Sequence, residues 1–217
     1  MCDSSISFTC GECTTLNCSK QNSEYPEDCL TLALDNEELQ KIIRIYKEDP
    51  IDASYSLAAA ELVKSGYGTL SRVEEVAAFA KNLGAKKIGI ASCVGLVKET
   101  HQFIRYLKSE GLDSYCVLCK VGAVDKGEIG LPERVRRKEG AHESICNPVL
   151  QAFILEKEKT DLNVIVGLCV GHDSLFIKHS AAPVTYLIVK DRVHKHNPVA
   201  GLPVEGREIN IITKIQK

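Results

Sequence analysis

Three stretches of the sequence end in a cysteine that follows an apolar, largely β-branched run. The runs stop at Cys93, Cys119 and Cys169, and valine and glycine follow each cysteine closely. A cysteine that only packs in a core would fall inside a strand as often as at its end. Because the carboxyl ends of parallel strands meet at one edge of a sheet, the repetition predicts a single pocket lined by sulfur. Thiolates are the ligands that zinc and iron–sulfur clusters prefer, so the predicted chemistry is metal binding.

Residues close to these cysteines extend the predicted site. Cys146 directly precedes Asn147 and Pro148, a pair that predicts the start of a helix. A helix N-terminus favours a thiolate, so Cys146 is interpreted as either a fourth ligand or a free reactive thiol. Glycines after the cysteines would permit sharp turns and bring backbone N–H groups close to a ligand. The predicted cofactor-binding residues are Cys93, Cys119, Cys146, Cys169, Gly95, Gly122 and Gly171.

Two polar residues, His172 and Asp173, follow Cys169 almost at once. His172 could donate a proton while Asp173 orients it; alternatively, Asp173 caps a helix and His172 lies on the surface. The segment 167–171 also fits a nucleophile elbow with Cys169 in place of serine, for which His172, His194 or His196 would be the base. That alternative leaves the repeated cysteines unexplained and ranks below metal binding. The predicted catalytic residues are Cys146, Cys169, His172 and Asp173.

A second group of cysteines lies in the first 30 residues, where no apolar period is visible. Such a segment cannot bury enough surface to order itself without a metal or the rest of the protein. Cys10 and Cys13 form a C-x-x-C knuckle that Cys18 and Cys29 follow, which suits tetrahedral zinc or an iron–sulfur cluster, although the spacing matches neither ferredoxin pattern. The alternative is a reduced, partly disordered tail, to which Cys2 is also assigned.

Composition excludes several classes of function. The 217 residues carry 27 Lys and Arg against 29 Asp and Glu, a formal charge of −2, so neither nucleic acid nor an anionic membrane is indicated as a partner. No apolar stretch approaches the roughly 20 residues that span a bilayer, and the N-terminus shows no secretory signal. The predicted location is therefore cytoplasmic. There, ten cysteines indicate thiols or metal ligands rather than disulfides.

The helices and strands that position these residues are predicted to form an α/β fold. Periodicity and capping signals predict three helices, over 36–47, up to 66, and 71–84. From residue 85 strands alternate with helices, which predicts a mostly parallel, Rossmann-like sheet flanked by helices. The predicted strands are 87–92, 114–119, 163–169, 184–190 and 208–213, with helices at 97–110, from 147, and at 174–180. The predicted domains are a cysteine-rich metal-knuckle segment over 1–33, a helical cover over 34–84 and the α/β core over 85–217, with 34–217 forming one domain.

Two loops are expected to border the site. Residues 122–145 form a long polar loop that could act as a lid; its arginines could bind phosphate, but interleaved glutamates favour a solvated loop. Residues 191–197 follow a strand, so one of their polar groups is expected to reach the pocket. Lys120, next to Cys119, could hold an anion there or lie in solvent.

Several motifs resemble a bacterial and archaeal family of unknown function, DUF1847. The motifs that carry the resemblance are 86–96, 119–122, 143–148, 167–178, 182–185 and 191–198. The match covers nearly the whole chain, and the 167–178 block is highly specific. The resemblance implies a metal-binding protein, usually from anaerobes, and no established reaction. Ser92 departs from the pattern, which has a bulkier residue such as phenylalanine beside Cys93.

The sequence therefore predicts a metal-binding protein with an iron–sulfur cluster preferred over zinc, suited to sulfur or redox chemistry. One alternative is a metal or redox sensor without catalytic activity, in which the N-terminal knuckle responds. Another is a cysteine-dependent hydrolase or acyl transferase with structural zinc. The expected partner is a small molecule or a redox protein, a homo-oligomer remains open, and whether the protein is an enzyme is left undecided.

Overall fold

A computed structural model describes residues 10–203 of the chain. The chain divides into two compact units, residues 1–57 and 58–217, and the boundaries predicted after residues 33 and 84 stay predictions. In the first unit, a 3₁₀ turn at Cys10–Glu12 precedes the short helices α1 (Asn17–Lys20) and α2 (Leu30–Ala33). Helix α3 (Asn36–Glu48) follows, close to its predicted bounds. Helix α4 (Pro50–Gly66) begins in this unit and continues into the second.

The second unit contains a sheet of four parallel strands flanked by helices. Its elements in chain order are α5 (Arg72–Asn82), β1 (Lys87–Ser92), α6 (Val97–Ser109), β2 (Asp113–Leu118), α7 (Pro148–Lys157), β3 (Leu162–Val166), α8 (His172–His179) and β4 (Val184–Ile188). The strand order is β2-β1-β3-β4, and all three pairs are parallel. The predicted α/β class with a parallel sheet is confirmed. The strand predicted at 208–213 lies outside the described residues.

The strand order fixes where a ligand would bind. From β1 the chain crosses through α6 to β2 on one side, and then returns past β1 to β3 on the other. The order therefore reverses between β1 and β3, and crevices at the carboxyl ends of such strands are the usual ligand sites of open α/β sheets. Beneath this edge, all five residues of β3 are buried, which explains its continuous apolar run.

Capping residues set several helix boundaries as the sequence predicts. The Ser71 hydroxyl accepts from Glu74 N–H and the Glu74 carboxylate accepts from Ser71 N–H, the reciprocal pair of a capping box. Asn147 Oδ1 accepts from Leu150 N–H at 3.1 Å and opens α7 with Pro148 in its first turn. One capping prediction is wrong: Gly171 occupies the N-cap of α8, so Asp173 lies inside the helix.

Three strands end earlier than predicted, and β2 stops at Leu118 rather than at residue 119. Strand β3 stops at Val166 rather than at residue 169, and β4 stops at Ile188 rather than at 190. The cause at β3 is Gly167, whose φ of 64° breaks the extended backbone. Among the described residues, no helix is both long and apolar enough to cross a membrane.

Candidate functional site

Strand register places two of the predicted cysteines side by side. Ser92 of β1 pairs with Leu118 of β2, so Cys93 and Cys119 are the next pair across the same two strands. The backbone ladder continues to this point, since Cys119 N–H donates to the Ser92 carbonyl at 2.8 Å. Both cysteines are buried, with exposed fractions of 7% and 2%. The structure therefore brings these two predicted residues together, and their role in a binding site remains a prediction.

Cys146 joins the pair from the loop before α7. Asn147 N–H donates to the Cys119 carbonyl at 2.7 Å, which holds the start of α7 against the end of β2. The Cys119 thiol lies close enough to both Cys93 and Cys146 to change the pKa of each of them. The three cysteines therefore form one cluster with Cys119 in the middle, which we call the sulfur cluster. It lies at the edge of the apolar core, to which Cys93 and Cys119 both belong.

The three thiols differ in acidity because of their order in the cluster. Hydrogen bonding to Cys119 lowers the pKa of Cys93 to about 4, with help from the Gly95 N–H and Lys190. The same thiol lowers the pKa of Cys146 to about 5, and the positive charges of Lys120 and His172 contribute. Conversely, the pKa of Cys119 is raised, because its proton is shared with two sulfurs that are more stable as thiolates.

Backbone amides and cations surround the sulfur cluster. Val94 N–H donates to Cys119 Sγ and Gly95 N–H donates to Cys93 Sγ, each at 3.4 Å. Lys190 Nζ lies 3.4 Å from Cys93 Sγ. These donors all favour negatively charged sulfur. The expectation that glycine N–H groups approach a sulfur site therefore holds at Gly95, whereas its role in binding a cofactor remains a prediction.

Lys120 sits on the other side of the cluster. Its Nζ donates to the Ser144 carbonyl at 2.5 Å and lies close enough to lower the pKa of Cys146. It is half-buried rather than solvent-exposed, so of the two predicted environments the one at the edge of the pocket is observed.

Cys169 lies apart from the row formed by the other strand ends. Because Ser92 pairs with Val166, the residue opposite Cys93 is Gly167, and Cys169 falls two residues further, in the turn before α8. Its Sγ accepts a hydrogen bond from Arg192 Nη2 at 3.1 Å. The pKa of Arg192 is raised by this contact first, and then by the negative charges of Cys93 and Cys146. Arg192 thus connects Cys169 to the sulfur cluster, and it is the predicted polar residue of loop 191–197 that reaches the site.

His172 and Asp173 have different surroundings. His172 Nδ1 is buried and, in the part of the chain that the structure describes, has no hydrogen-bond partner. Asp173 accepts a hydrogen bond from the Tyr186 hydroxyl at 3.1 Å, and burial together with this carboxylate raises the pKa of Tyr186 to about 12. Asp173 therefore orients Tyr186, and a catalytic role for either residue remains a prediction.

The backbone turn that a nucleophile elbow requires is present around Cys169. Among the described residues, no histidine is seen in contact with the Cys169 sulfur as a base. Gly167 and Gly171 both have positive φ, 64° and 84°, so the strand–turn–helix shape around Cys169 is present. Of the three histidines considered as a base, His194 Nδ1 pairs with Asp191 and His196 Nδ1 accepts from Asp191 N–H. Within residues 10–203 the contact made by the Cys169 sulfur is with Arg192.

The other glycines act as the sequence predicts in the backbone. Gly122 and Gly171 both have a φ of 84°, which other residues adopt at a cost. A Cβ at Gly122 would also lie 2.9 Å from Leu150 Cδ2. These residues make the turns after Cys119 and Cys169, while ligand binding by either stays a prediction.

Two residues of the site are missing from the sequence predictions. Lys190, which contacts Cys93, could have been found because it lies just beyond the end of β4, at the same sheet edge. Gln151 is fully buried, and its Nε2 donates to the Ser92 and Val117 carbonyls at 3.2 and 2.6 Å. It ties together the two strand ends that carry Cys93 and Cys119. A buried glutamine gives no sequence signal, because the residue type usually lies on the surface.

Cys116 is the natural internal comparison for the sulfur cluster. It lies on β2 three residues before Cys119, and burial raises its pKa to about 11.

Ser92, the departure from the family pattern, is fully buried, and its hydroxyl pairs with the Thr100 hydroxyl at 2.6 Å. A small polar residue is thus accommodated beside Cys93.

The N-terminal cysteines lie in a separate unit. Cys10 and Cys18 are exposed and Cys13 and Cys29 half-buried; Cys2 lies outside the described residues. A backbone hydrogen bond from Leu16 lowers the pKa of Cys13. In residues 10–203, His, Cys, Asp and Glu form no group of three or more already placed to hold a metal ion. Every metal ligand predicted from the sequence therefore remains a prediction.

The loop 122–145 is stabilised by contacts between its own residues. Arg136 makes a two-point ion pair with Asp125, and its Nη1 also donates to the Ala141 carbonyl at 2.9 Å. The side chain of Arg136 is 10% exposed. Arg136 is therefore already paired, and the loop has an ordered, salt-bridged centre.

The chain is similar in sequence to a known protein family and to a protein from an archaeon. A family model described as "Protein of unknown function (DUF1847)" matches residues 29–187, a range that holds the sulfur cluster and Cys169. An uncharacterized protein of Methanocaldococcus jannaschii is 42% identical over 163 residues, which cover 75% of this chain and 82% of the relative.

Proposed function

Because this chain belongs to the DUF1847 family, whose description assigns no reaction, we propose a function from the site itself: the protein binds a metal centre through Cys93, Cys119 and Cys146. An iron–sulfur cluster is preferred over zinc. The proposal includes a Rossmann-like fold for the second unit, a cytoplasmic location and a small-molecule or redox partner.

The single observation that carries the proposal is the convergence of three cysteines from three different elements on Cys119. Cys93 follows β1, Cys119 follows β2 and Cys146 precedes α7, yet the Cys119 thiol changes the pKa of both of the others. Bringing three thiols together with two of them favoured as thiolates needs a compensating positive charge. In the free protein the Cys119 proton supplies part of it. A metal centre would replace that proton, since metal binding requires deprotonated ligands and releases protons.

The donor set fits the proposed centre. Three thiolates are soft ligands, and two residues compete for the fourth position. Cys169 is the remaining cysteine of the four that the sequence predicts as ligands at this sheet edge, although its sulfur contacts Arg192. His172 is the candidate favoured by burial, because its Nδ1 is a buried polar atom whose missing hydrogen bond is costly.

The preference for an iron–sulfur cluster rests on the charges around the sulfurs. Lys190, Arg192 and Lys120 would offset the negative charge of a cluster held by thiolates. The N–H groups of Val94 and Gly95 already point at sulfur, and such hydrogen bonds tune the potential of these clusters. Bound there, a cluster would supply one-electron transfer. The surrounding cations would bind and orient an anionic partner.

The test is metal and sulfide analysis of protein purified without oxygen. We expect iron and acid-labile sulfide in the wild type, and loss of both in Cys119→Ser. Cys116→Ser is the matched control, because it removes a half-buried thiol from the same region but not from the cluster. Wild-type protein that contains neither iron nor zinc, or equal metal in both variants, would contradict the proposal.

A second candidate function is thiol-based nucleophilic chemistry at Cys146. It is favoured by the pKa of about 5, which leaves Cys146 as a thiolate at neutral pH. The variant Cys146→Ser separates the two roles. Loss of the metal centre indicates a ligand, whereas an intact centre with lost activity toward an electrophilic substrate indicates a nucleophile.

A further inference from the structure

A cavity of about 750 Å³ opens beside Arg192, and three basic residues line it. Arg192, Lys195 and His196 share its lining with the apolar residues Leu187, Val189 and Pro198. Its volume is typical of sites for small organic ligands. Arg192 also contacts Cys169, so the same guanidinium reaches both places. The position, beyond the end of β4, is the carboxyl edge of the sheet.

The loop that presents the basic residues is built around one carboxylate. Asp191 Oδ1 accepts from the N–H groups of Val193 and His194, at 2.9 and 3.0 Å, and Oδ2 pairs with His194 Nδ1. The next two residues, Lys195 and His196, have φ values of 52° and 67°. Two successive non-glycine residues in the left-handed region are sterically unfavourable. The Asp191 contacts hold this loop in a shape that turns Lys195 and His196 to the cavity.

The proton of His196 is also fixed. Its Nδ1 accepts a hydrogen bond from Asp191 N–H at 3.1 Å. A backbone N–H can only donate, so Nδ1 carries no proton and Nε2 bears the ring hydrogen. The cavity therefore offers the Arg192 guanidinium, the Lys195 amino group and the Nε2–H of His196, which is a donor set suited to an oxyanion.

The rest of the wall accommodates an apolar, planar group. A more apolar cavity of about 400 Å³ adjoins the first and shares Glu99, Leu187 and Ile188 with it. Phe103 and Tyr106 contribute to its lining. An aromatic body lying on these residues would place an attached oxyanion toward Arg192 and Lys195.

We propose that this cavity binds an organic anion, with its phosphate or carboxylate held by Arg192, Lys195 and His196 and its apolar body along Leu187 and Ile188. Binding by the cavity is independent of the metal. Its assignment as the substrate position of the sulfur cluster rests on the proposed function.

The test uses phenyl phosphate, benzoate and inorganic phosphate as probes. Each is titrated into the full-length protein, with and without bound metal, while backbone amide shifts are followed by NMR. We expect shifts at residues 187–198 with the first two probes and weaker binding of inorganic phosphate, which lacks the apolar body. Comparing phenyl phosphate with benzoate identifies the preferred head group.

Variants decide whether the basic residues bind the anion. Arg192→Gln and Lys195→Gln should each weaken the better probe by about tenfold, the effect of losing one charge-assisted hydrogen bond. Lys108→Gln is the matched control, because it removes an exposed lysine from the far end of α6. Absence of shifts in 187–198, or wild-type affinity in both variants, would overturn the proposal.

A third readout links the cavity to the sulfur cluster. Because the anion would share Arg192 with Cys169, saturating probe should slow alkylation of Cys169 and leave Cys116 unchanged. An unchanged Cys169 rate would overturn the shared site even where metal is bound. Anion binding by protein in which metal analysis finds neither iron nor zinc would support the cavity and refute only the metal centre.

Discussion

At the scale of single residues, the three thiols of the sulfur cluster differ in pKa because their neighbours differ. Cys119 has a sulfur on each side, whereas Cys93 and Cys146 each have Cys119 on one side and a lysine nearby. The outer thiols therefore lose their protons first. Three cysteines of identical chemistry thus differ in acidity because of position alone.

The first prediction concerns the pH dependence of thiol alkylation in metal-free, reduced protein. Iodoacetamide reacts with thiolates, and an ordinary thiol with a pKa near 8.5 is mostly protonated at pH 6.5. A pKa of about 5 keeps Cys146 as a thiolate there, so its alkylation should remain fast until the pH falls to about 5. Cys116, with a pKa of about 11, should react only in alkaline solution.

Mass spectrometry of the two cysteine-containing peptides measures both rates in one sample. The two side chains are both half-buried, so the comparison reports acidity more than access. Equal rates for Cys146 and Cys116 at pH 6.5 would contradict the prediction.

Only some residues of the candidate site could be predicted from the sequence. Cys93 and Cys119 were predictable because the apolar run before each fixes the strand end. Lys190 could have been assigned to the sheet edge from its position just beyond β4. Its contact with Cys93 and the contacts of Gln151 could not, since both depend on the order of strands in the sheet, which periodicity does not reveal. Cys169 was placed with the strand ends because an apolar run cannot show that Gly167 makes β3 stop at Val166, three residues earlier.

At the scale of elements, the β1–β3 pair needs a glycine to hold a buried polar side chain. Gly89 pairs with Asn163, whose amide is buried and donates to the Ser180 hydroxyl at 2.7 Å. Thr160 donates to Asn163 Oδ1 at 2.8 Å. A Cβ at Gly89 would lie 2.0 Å from this oxygen, so the pairing of the two strands depends on the missing side chain.

The second prediction is that Gly89→Ala destabilises the protein by about 2 kcal/mol or more, because overpacking and a broken buried hydrogen bond combine. The midpoint of urea unfolding measures the change. Gly95→Ala is the control, since its Cβ would meet Lys190 Nζ at 3.4 Å and Cys93 Sγ at 3.8 Å, which are ordinary contacts. An unfolding midpoint for Gly89→Ala equal to that of the control would show that Asn163 can move aside.

The third prediction concerns the loop 122–145 and acid. Arg136 holds the pKa of Asp125 far below its usual range, and the N–H groups of Gly127 and Glu143 add to the effect. A carboxylate whose pKa falls on folding stabilises the folded state above its unfolded pKa, near 3.9, and loses this contribution as the pH drops toward the folded value. The loop should therefore stay closed in mildly acidic solution.

Amide hydrogen exchange at Gly127 and Glu143 tests this expectation. Both amides should stay protected at pH 5 in the wild type and lose protection at pH 7 in Asp125→Asn. Glu139→Gln removes an exposed carboxylate from the same loop and should change neither amide. Full protection in Asp125→Asn would mean that Arg136 does not hold the loop.

At the scale of the whole molecule, cysteines predicted as ligands occur in both compact units. Cys10, Cys13, Cys18 and Cys29 belong to the first unit, and Cys93, Cys119, Cys146 and Cys169 to the second. Cys13 N–H donates to the Cys10 carbonyl at 3.3 Å, the tight turn expected of a C-x-x-C knuckle. Asn17 stabilises the following turn, because its buried side-chain oxygen accepts from the N–H groups of Asn22 and Ser23.

The fourth prediction is that each unit binds metal through its own cysteines. The double variant Cys10→Ser/Cys13→Ser should lose the metal of the N-terminal segment and keep the iron, sulfide and visible absorption of the sulfur cluster. Cys119→Ser should keep the metal of the N-terminal segment and lose the iron, sulfide and visible absorption. The reason is that the ligands of the sulfur cluster come from the second unit alone. Metal and sulfide analysis of both proteins, prepared without oxygen, distinguishes the cases. Loss of all metal in either variant would show that the two groups of cysteines serve one centre, and an N-terminal variant with unchanged metal would leave the sulfur cluster as the binding site.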